Sequence, residues 1–340
     1  MAEVAATPST PTDTPTDQRL WVRFLGLFDR FGPLLLVLVM VIISWATRPD
    51  VFSKEGNIFN IFRQNSYYFM LALGEFIVIV TAGIDLSVGS ILAVSMMSSA
   101  VMSTWGVPWP ILVVVPFVVG LAFGAVNGLG LTKLHLPHPF IMTLGMMFIA
   151  RGITNLISGG VPIAGLPDEV RWIGYGNVDV LGHEVPVSMF AVAITFSLIW
   201  LFLIHTRTGR HIFAIGGNPQ AARVSGINVD RTLVITYALC GLLAGFAGLI
   251  VAGRTGSGFP NAGLGDELYA ISAVIIGGAS FFGGRGTVLG VFAGVLVIGL
   301  LRNLLNLNNV SPFYQQILIG LIIIGVVAFD VLRRRVSASI

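Results

Sequence analysis

From residue 32 to residue 330 the chain keeps returning to runs of about twenty mostly apolar residues, the length a helix needs to cross the hydrocarbon core of a bilayer. Ten such segments are read, near 32–48, 60–81, 86–104, 110–131, 139–157, 187–204, 232–252, 267–282, 287–304 and 312–330. Inside hydrocarbon the backbone must satisfy its own hydrogen bonds, so these runs are expected to be helical. The expected fold class is therefore an all-α integral membrane protein with about ten transmembrane helices. Charge agrees: 10% of the 340 residues are charged, whereas a soluble domain carries about 25%. Cys240, the single cysteine, lies in an apolar run and offers no disulfide framework. No basic stripe interleaved with aromatics is present, so no nucleic-acid partner is expected.

The connections sort by charge. With the N-terminus in the cytoplasm, the inner loops hold Lys133, Arg207, Arg210, Arg223, Arg231 and Arg285. The two ends add Arg19, Arg23, Arg30, Arg333, Arg334 and Arg335. The outer loops hold Arg48, Lys54, Arg171 and Arg254 among acids such as Asp50, Glu55, Asp168, Glu169, Asp179 and Glu184. Basic residues collect on the cytoplasmic side of membrane proteins, so this bias places both termini inside. Residues 1–30 are expected as a disordered cytoplasmic tail, its first eighteen rich in Thr, Pro and Ala, and 333–340 as a second tail. No short apolar core followed by a small-residue cleavage site opens the chain, so no cleavable signal is expected.

Two connections are long. The outer one, 158–186, carries Pro162, Pro167, Trp172, Tyr175 and several acids, and suits an interfacial helix or a docking surface. The inner one, 205–231, is punctuated. Asn218 is a helix cap, Pro219 suits the first helical position, and Gly226 stops the one or two turns between them.

The most unusual stretch is Thr81-Ala82-Gly83-Ile84-Asp85-Leu86-Ser87-Val88-Gly89-Ser90. An acid, two serines and two glycines interrupt an apolar run, and such residues persist in hydrocarbon only where protein or water satisfies them. The charge-derived topology sets it at the cytoplasmic end of two helices, so it reads as a gate or hinge, with Gly83, Asp85, Ser87 and Gly89 as its defining residues. A similar pattern recurs around Gly277-Gly278, Gly283-Gly284-Arg285-Gly286 and Gly290. Paired interrupted segments mark the pathway of a duplicated transporter; glycine-rich helices also resemble one another by chance.

No catalytic group and no metal site is expected. Gly283-Gly284-Arg285-Gly286-Thr287 lacks the spacing of a phosphate-binding loop. His135, His138, His183, His205 and His211 are scattered without ligand spacing, and no nucleophile elbow occurs. What remains is polar residues within the spans. Asn65, Tyr68 and Glu75 fall on one side of a helix and suit a substrate pathway, with Tyr67 beside them; the alternative is hydrogen bonding between helices. Arg151 and Arg302 are expected to snorkel outward, and Asp330 to sit at an interface. Gly120-x3-Gly124-x3-Gly128 and Gly241-x3-Gly245 permit close helix packing.

The 81–90 stretch resembles the signature of ribose-type sugar permeases of bacterial ABC importers. So does Ala214-Ile215-Gly216-Gly217-Asn218-Pro219-Gln220-Ala221-Ala222-Arg223-Val224-Ser225-Gly226-Ile227. The segments Ile276 to Gly290 and Ser311-Pro312-Phe313-Tyr314-Gln315 follow in matching order, and the likeness covers roughly residues 30 to 332. The resemblance implies an ABC importer permease fold over 31–332, multi-pass in the bacterial cytoplasmic (inner) membrane. It implies a second permease subunit, two cytoplasmic ATP-binding domains and a periplasmic or lipid-anchored sugar-binding protein as partners. The chain itself would bind no cofactor, ATP and Mg being used by the partner ATPase. The 205–231 loop would supply the coupling helix, with Gly217, Asn218, Ala221, Ala222, Arg223 and Gly226 carried over. The substrate would be a monosaccharide, a ribose-like pentose or a hexose, passed by alternating access. A nucleoside or quorum signal fits similar architecture, and an ion-coupled carrier using Asp85 and Glu75 is a rival of another class. The run Leu134 to Pro139 departs from the family pattern in its Pro and His content.

Overall fold

A computed structural model describes residues 16–134, 136 and 138–338 of the chain. Residues 1–15 of the expected tail, together with His135 and Pro137 of the departing run, lie outside them. From Thr16 the backbone is helical, so the first helix starts well before the expected boundary at residue 31. At the other end the last helix runs through Ala338, where a tail from 333 was expected.

Each of the ten apolar segments contains a helix. In order, the helices are α1 (Thr16–Thr47), α2 (Pro49–Phe52), α3 (Glu55–Val80), α4 (Val88–Thr104), α5 (Trp109–Lys133), α6 (Pro139–Ser158) and α7 (Asp168–Tyr175). There follow α8 (Val187–His205), α9 (Arg207–Gly217), α10 (Pro219–Val224), α11 (Val229–Thr255), α12 (Asp266–Ile276), α13 (Val288–Leu307) and α14 (Pro312–Ala338). Among the described residues, α5, α6, α8, α11 and α13 are each long and apolar enough to cross a membrane. Large apolar side chains such as Leu38, Val118, Phe148, Leu198 and Leu321 point outward from α1, α5, α6, α8 and α14. So much exposed apolar surface suits a lipid-facing protein.

One segment departs from its expected helix. The run 267–282 is helical only as far as Ile276, because Gly277 and Gly278 follow and Gly278 adopts φ +83°. At about 1.5 Å per residue, eleven residues reach only about half-way across a bilayer. The rest of that segment is turn, down to Thr287, whose hydroxyl caps α13.

Strands are few among the described residues. In the 158–186 connection, α7 is followed by a hairpin of β2 (Asn177–Val180) with β3 (His183–Pro186). The preceding β1 (Ile163–Ala164) pairs with β4 (Ser257–Gly258), tying this connection to the end of α11.

The interior is built on α11. The expected glycine contact is made here: a methyl group on Gly120 or Gly124 of α5 would overlap a backbone carbonyl of α11, and one on Gly241 or Gly245 would overlap α5 in return. The two backbones therefore touch directly, which needs small residues at every crossing point. Around this pair, the second half of α3 and most of α4 are wholly enclosed, from Phe69 to Val80 and from Val88 to Met97. A helix so covered has been lifted out of lipid and into the protein, which lets it carry polar groups.

Candidate functional site

The first half of α3 borders a cavity of about 260 Å³. Asn65, Tyr67 and Tyr68 of α3 line it, with Arg254 from the end of α11, Tyr269 of α12 and Asn303 and Asn306 of α13. The start of α14 closes it with Gln315 and Gln316. The lining is mostly amide and phenol, with little aliphatic surface beyond Ile61 and Pro312. Its two guanidinium groups are already engaged. Arg254 lies 5.2 Å from the centre of the Tyr67 ring and donates to the Gln64 carbonyl at 3.1 Å. Arg302 lies over Tyr269 and Tyr68, at 4.1 Å and 4.9 Å. Where its sequence position suggested outward snorkelling, the structure sets its guanidinium against these two aromatic rings.

At the far end of α3 the 81–90 stretch folds back on itself. Asp85 is fully buried; its Oδ1 accepts from the Ser87 amide at 2.9 Å and from the Ser87 hydroxyl at 2.5 Å. Asn127 of α5 donates to Ser87 Oγ at 2.8 Å and reaches the Asp85 carboxylate at 3.4 Å. The Asp85 amide in turn donates to Glu75 Oε1 at 3.1 Å, and Glu75 is fully buried as well. Tyr237 of α11 completes the cluster, its hydroxyl 2.6 Å from where a Gly83 methyl would stand. Among the described residues Glu75 Oε2, Asn127 Oδ1 and Tyr237 Oη have no partner. Unpartnered buried polar atoms are uncommon in plain packing.

The same end of α3 meets two other parts of the chain. The Gly284 amide donates to the Val80 carbonyl at 2.9 Å. A methyl group on Gly216, at the end of α9, would overlap that same carbonyl and stand 2.6 Å from the Gly284 amide. One on Gly283 would stand 2.8 Å from the Ala82 amide and 2.9 Å from the Gly216 carbonyl. Three glycine-containing motifs, distant in sequence, thus converge at one point with no room for a side chain. Asn218 then begins α10 as expected, its side chain accepting from the Gln220 and Ala221 amides, and Gly226 closes it at φ +83°. That α9 precedes it as an eleven-residue helix was not foreseen.

The sequence-derived residues divide between these two places. Asn65 and Tyr68 meet in the cavity. Glu75 does not: it is on their side of α3 but joins Asp85. Gly83, Asp85, Ser87 and Gly89 are all buried or tightly packed, Gly89 against the Gly263 backbone. Of the 205–231 residues, Gly217, Asn218, Ala221, Arg223 and Gly226 are exposed, whereas Ala222 is buried with Ile215 and Val229 and fastens α10 down. Val224, 90% exposed on this short helix, was overlooked.

The family described as branched-chain amino acid transport system / permease component matches residues 57–327. The chain is 39% identical over 309 residues to the D-allose transport system permease protein of Escherichia coli K12, covering 91% of this chain and 93% of that one. The chain belongs to this family of transport permeases. It is also 41% identical over 301 residues to the ribose import permease protein of E. coli K12, covering 87% and 92% of the two chains. With the galactose/methyl galactoside import permease protein of E. coli K12 it shares 37% over 316 residues, covering 88% and 92%. No solved structure matches it. Membership bears out the expectation of a transport permease rather than an enzyme, and of a multi-pass membrane protein.

Proposed function

We propose that the permease carries a monosaccharide across the bacterial cytoplasmic membrane as the transmembrane subunit of an ATP-driven ABC importer. The family description names branched-chain amino acids, while the relatives' names are those of sugar permeases. The cavity's chemistry favours sugar. An amino acid brings an ammonium group and an aliphatic side chain; the cavity lining offers little aliphatic surface, and the carboxylate beside it, Asp266, is taken up by the Tyr68 hydroxyl. Six amide side chains and three phenols offer donors and acceptors for hydroxyls, with ring faces for a sugar's C–H surface.

In this reading nine of the ten apolar segments cross the membrane as helices, the eighth crosses by α12 together with the turns that follow it down to Thr287, and both termini lie inside. The cavity then opens outward, and the convergence of Val80, Gly216 and Gly284 faces the cytoplasm. Gly83, Asp85, Ser87 and Gly89 belong to the inner gate. Gly217, Asn218, Ala221, Arg223 and Gly226, joined by Val224, present α10 to an ATPase, and Ala222 holds it to α11. Two ATPase domains, a second permease subunit and an external sugar-binding protein complete the transporter, and ATP with Mg is used by the ATPase.

Competition tests the substrate class. In cells expressing the whole transporter, excess ribose, allose or galactose is expected to suppress uptake of a labelled member of that set, and excess leucine is not. Suppression by leucine and by none of the sugars would contradict the reading.

A further inference from the structure

The cavity has a floor that its lining alone does not explain. Asn65, Tyr68, Tyr269 and Arg302 border the 260 Å³ cavity and also a second, much smaller void of about 10 Å³, whose remaining lining is Ala273, Val295 and Ile298. These four side chains therefore form a partition between the two spaces. Above it the surface is polar; below it the surface is aliphatic.

The partition is a clamp between three helices. The Tyr68 hydroxyl of α3 donates to Asp266 Oδ1 at the start of α12, at 2.8 Å. The Tyr68 and Tyr269 rings meet edge to face with centroids 5.8 Å apart. The Arg302 guanidinium of α13 lies against both. Among the described residues Arg302 makes no ion pair, so the two ring faces hold its charge.

We propose that Tyr68, Tyr269, Arg302 and Asp266 are the specificity-determining floor and outer barrier of the sugar pathway. The inference rests on the sugar-permease reading and deepens it. A guanidinium over an aromatic face is held by an electrostatic attraction that hydroxyl oxygens can replace. A sugar entering the cavity brings both halves of the exchange: hydroxyls that accept from Arg302, and a C–H face that covers the tyrosine rings Arg302 leaves. The carboxylate of Asp266 accepts from Tyr68 in the closed state and is free to accept from a sugar hydroxyl in the open one. A solute lacking this pairing of hydroxyls with a ring face cannot make the exchange, and the floor stays shut. Selection and opening become one event, a gating role that rigid lining residues do not supply.

The test uses the permease reconstituted in liposomes with its ATPase, as the wild type, Tyr68→Phe and Arg302→Gln. Two quantities are read: swelling in isosmotic ribose or erythritol without ATP, and the concentration dependence of ATP-driven ribose uptake with the binding protein added. Both variants are expected to admit ribose and erythritol several-fold faster than wild type without ATP and to raise KM for ribose more than they lower the maximal rate. Wild-type swelling together with wild-type KM in both variants would overturn the proposal. Should Arg302→Gln not assemble, Tyr68→Phe, which loses one hydroxyl, decides alone. A purely structural role predicts less assembled protein with unchanged leak and KM per complex, which also overturns it. Failure of the wild type to move any sugar on ATP would break the sugar reading instead, while the erythritol swelling still decides whether the clamp is a barrier.

Discussion

Around Tyr68, helix α3 faces a cavity of about 260 Å³ among amides and phenols; twelve residues on, at Val80, it meets the chain so closely that one methyl group has no room. At about 1.5 Å per residue these places are about 18 Å apart along one helix. The open end has side chains that can trade partners without moving a backbone. The sealed end has backbone against backbone, at Val80, Gly216 and Gly284, and close-packed contacts of that kind switch between discrete arrangements and do not yield gradually. A substrate is best read at the first and a mechanical input best received at the second. The polar cluster of Glu75, Asp85, Ser87 and Asn127 ties the sealed end to α4 and α5, so a shift there is carried into the helices behind it.

Substitutions at the sealed end should therefore act through coupling. Gly216→Val puts a branched side chain onto the Val80 carbonyl and is expected to cost about tenfold or more in ATP-driven uptake. Gly152→Val, in open space on α6, is the matched control and should leave uptake within about twofold. If both behave alike, the sealed end is not special.

Asp85→Asn keeps an acceptor for Ser87 but presents an amide NH₂ to the NH₂ of Asn127. Uptake is expected to fall about fivefold, the scale of one mismatched buried hydrogen bond, with the amount in the membrane reduced less. Equal loss of both would make Asp85 structural. Arg223→Glu reverses an exposed charge that sits 3.2 Å from Asp230. Co-purification of the ATPase should weaken by a few-fold, about 1 kcal/mol for a surface charge, without loss of permease; unchanged association would remove Arg223 from the docking face. The smallest effect is expected from Asn218→Ala, which leaves the Gln220 and Ala221 amides uncapped at a cost of about 1 kcal/mol. Faster hydrogen exchange at residues 220–224, with uptake changed by less than in Arg223→Glu, would place the cap in local order only.

Much of this was legible in the chain because it is written locally. Apolar runs announced the helices, and an acid with two serines in hydrocarbon announced the 81–90 break. Asn218-Pro219 followed by Gly226 announced α10 because capping is a matter of a few adjacent residues. What was not legible is tertiary. Asn65, Tyr68 and Glu75 share a side of α3, but Glu75 is about 10 Å further along than Tyr68 and is claimed by an amide from the folded-back chain. Arg302 was read as a snorkelling residue because its aromatic partners come from α3 and α12. The early end of α12 was signalled by Gly277-Gly278, yet an apolar run extends across the glycines and conceals the stop. Arg254 and Tyr269 carry no local sign of belonging to a cavity.

The comparison of the two ends requires that the sealed end be driven by ATP and that the open end receive the sugar. The most direct measurement is labelled ribose uptake by the reconstituted transporter, with its ATPase either intact or altered at the lysine that holds the nucleotide phosphates. Uptake is expected to fall to the level seen without ATP when that lysine is replaced, with the permease still assembled; uptake that persists would contradict the account and point to an ion-coupled carrier centred on Asp85 and Glu75.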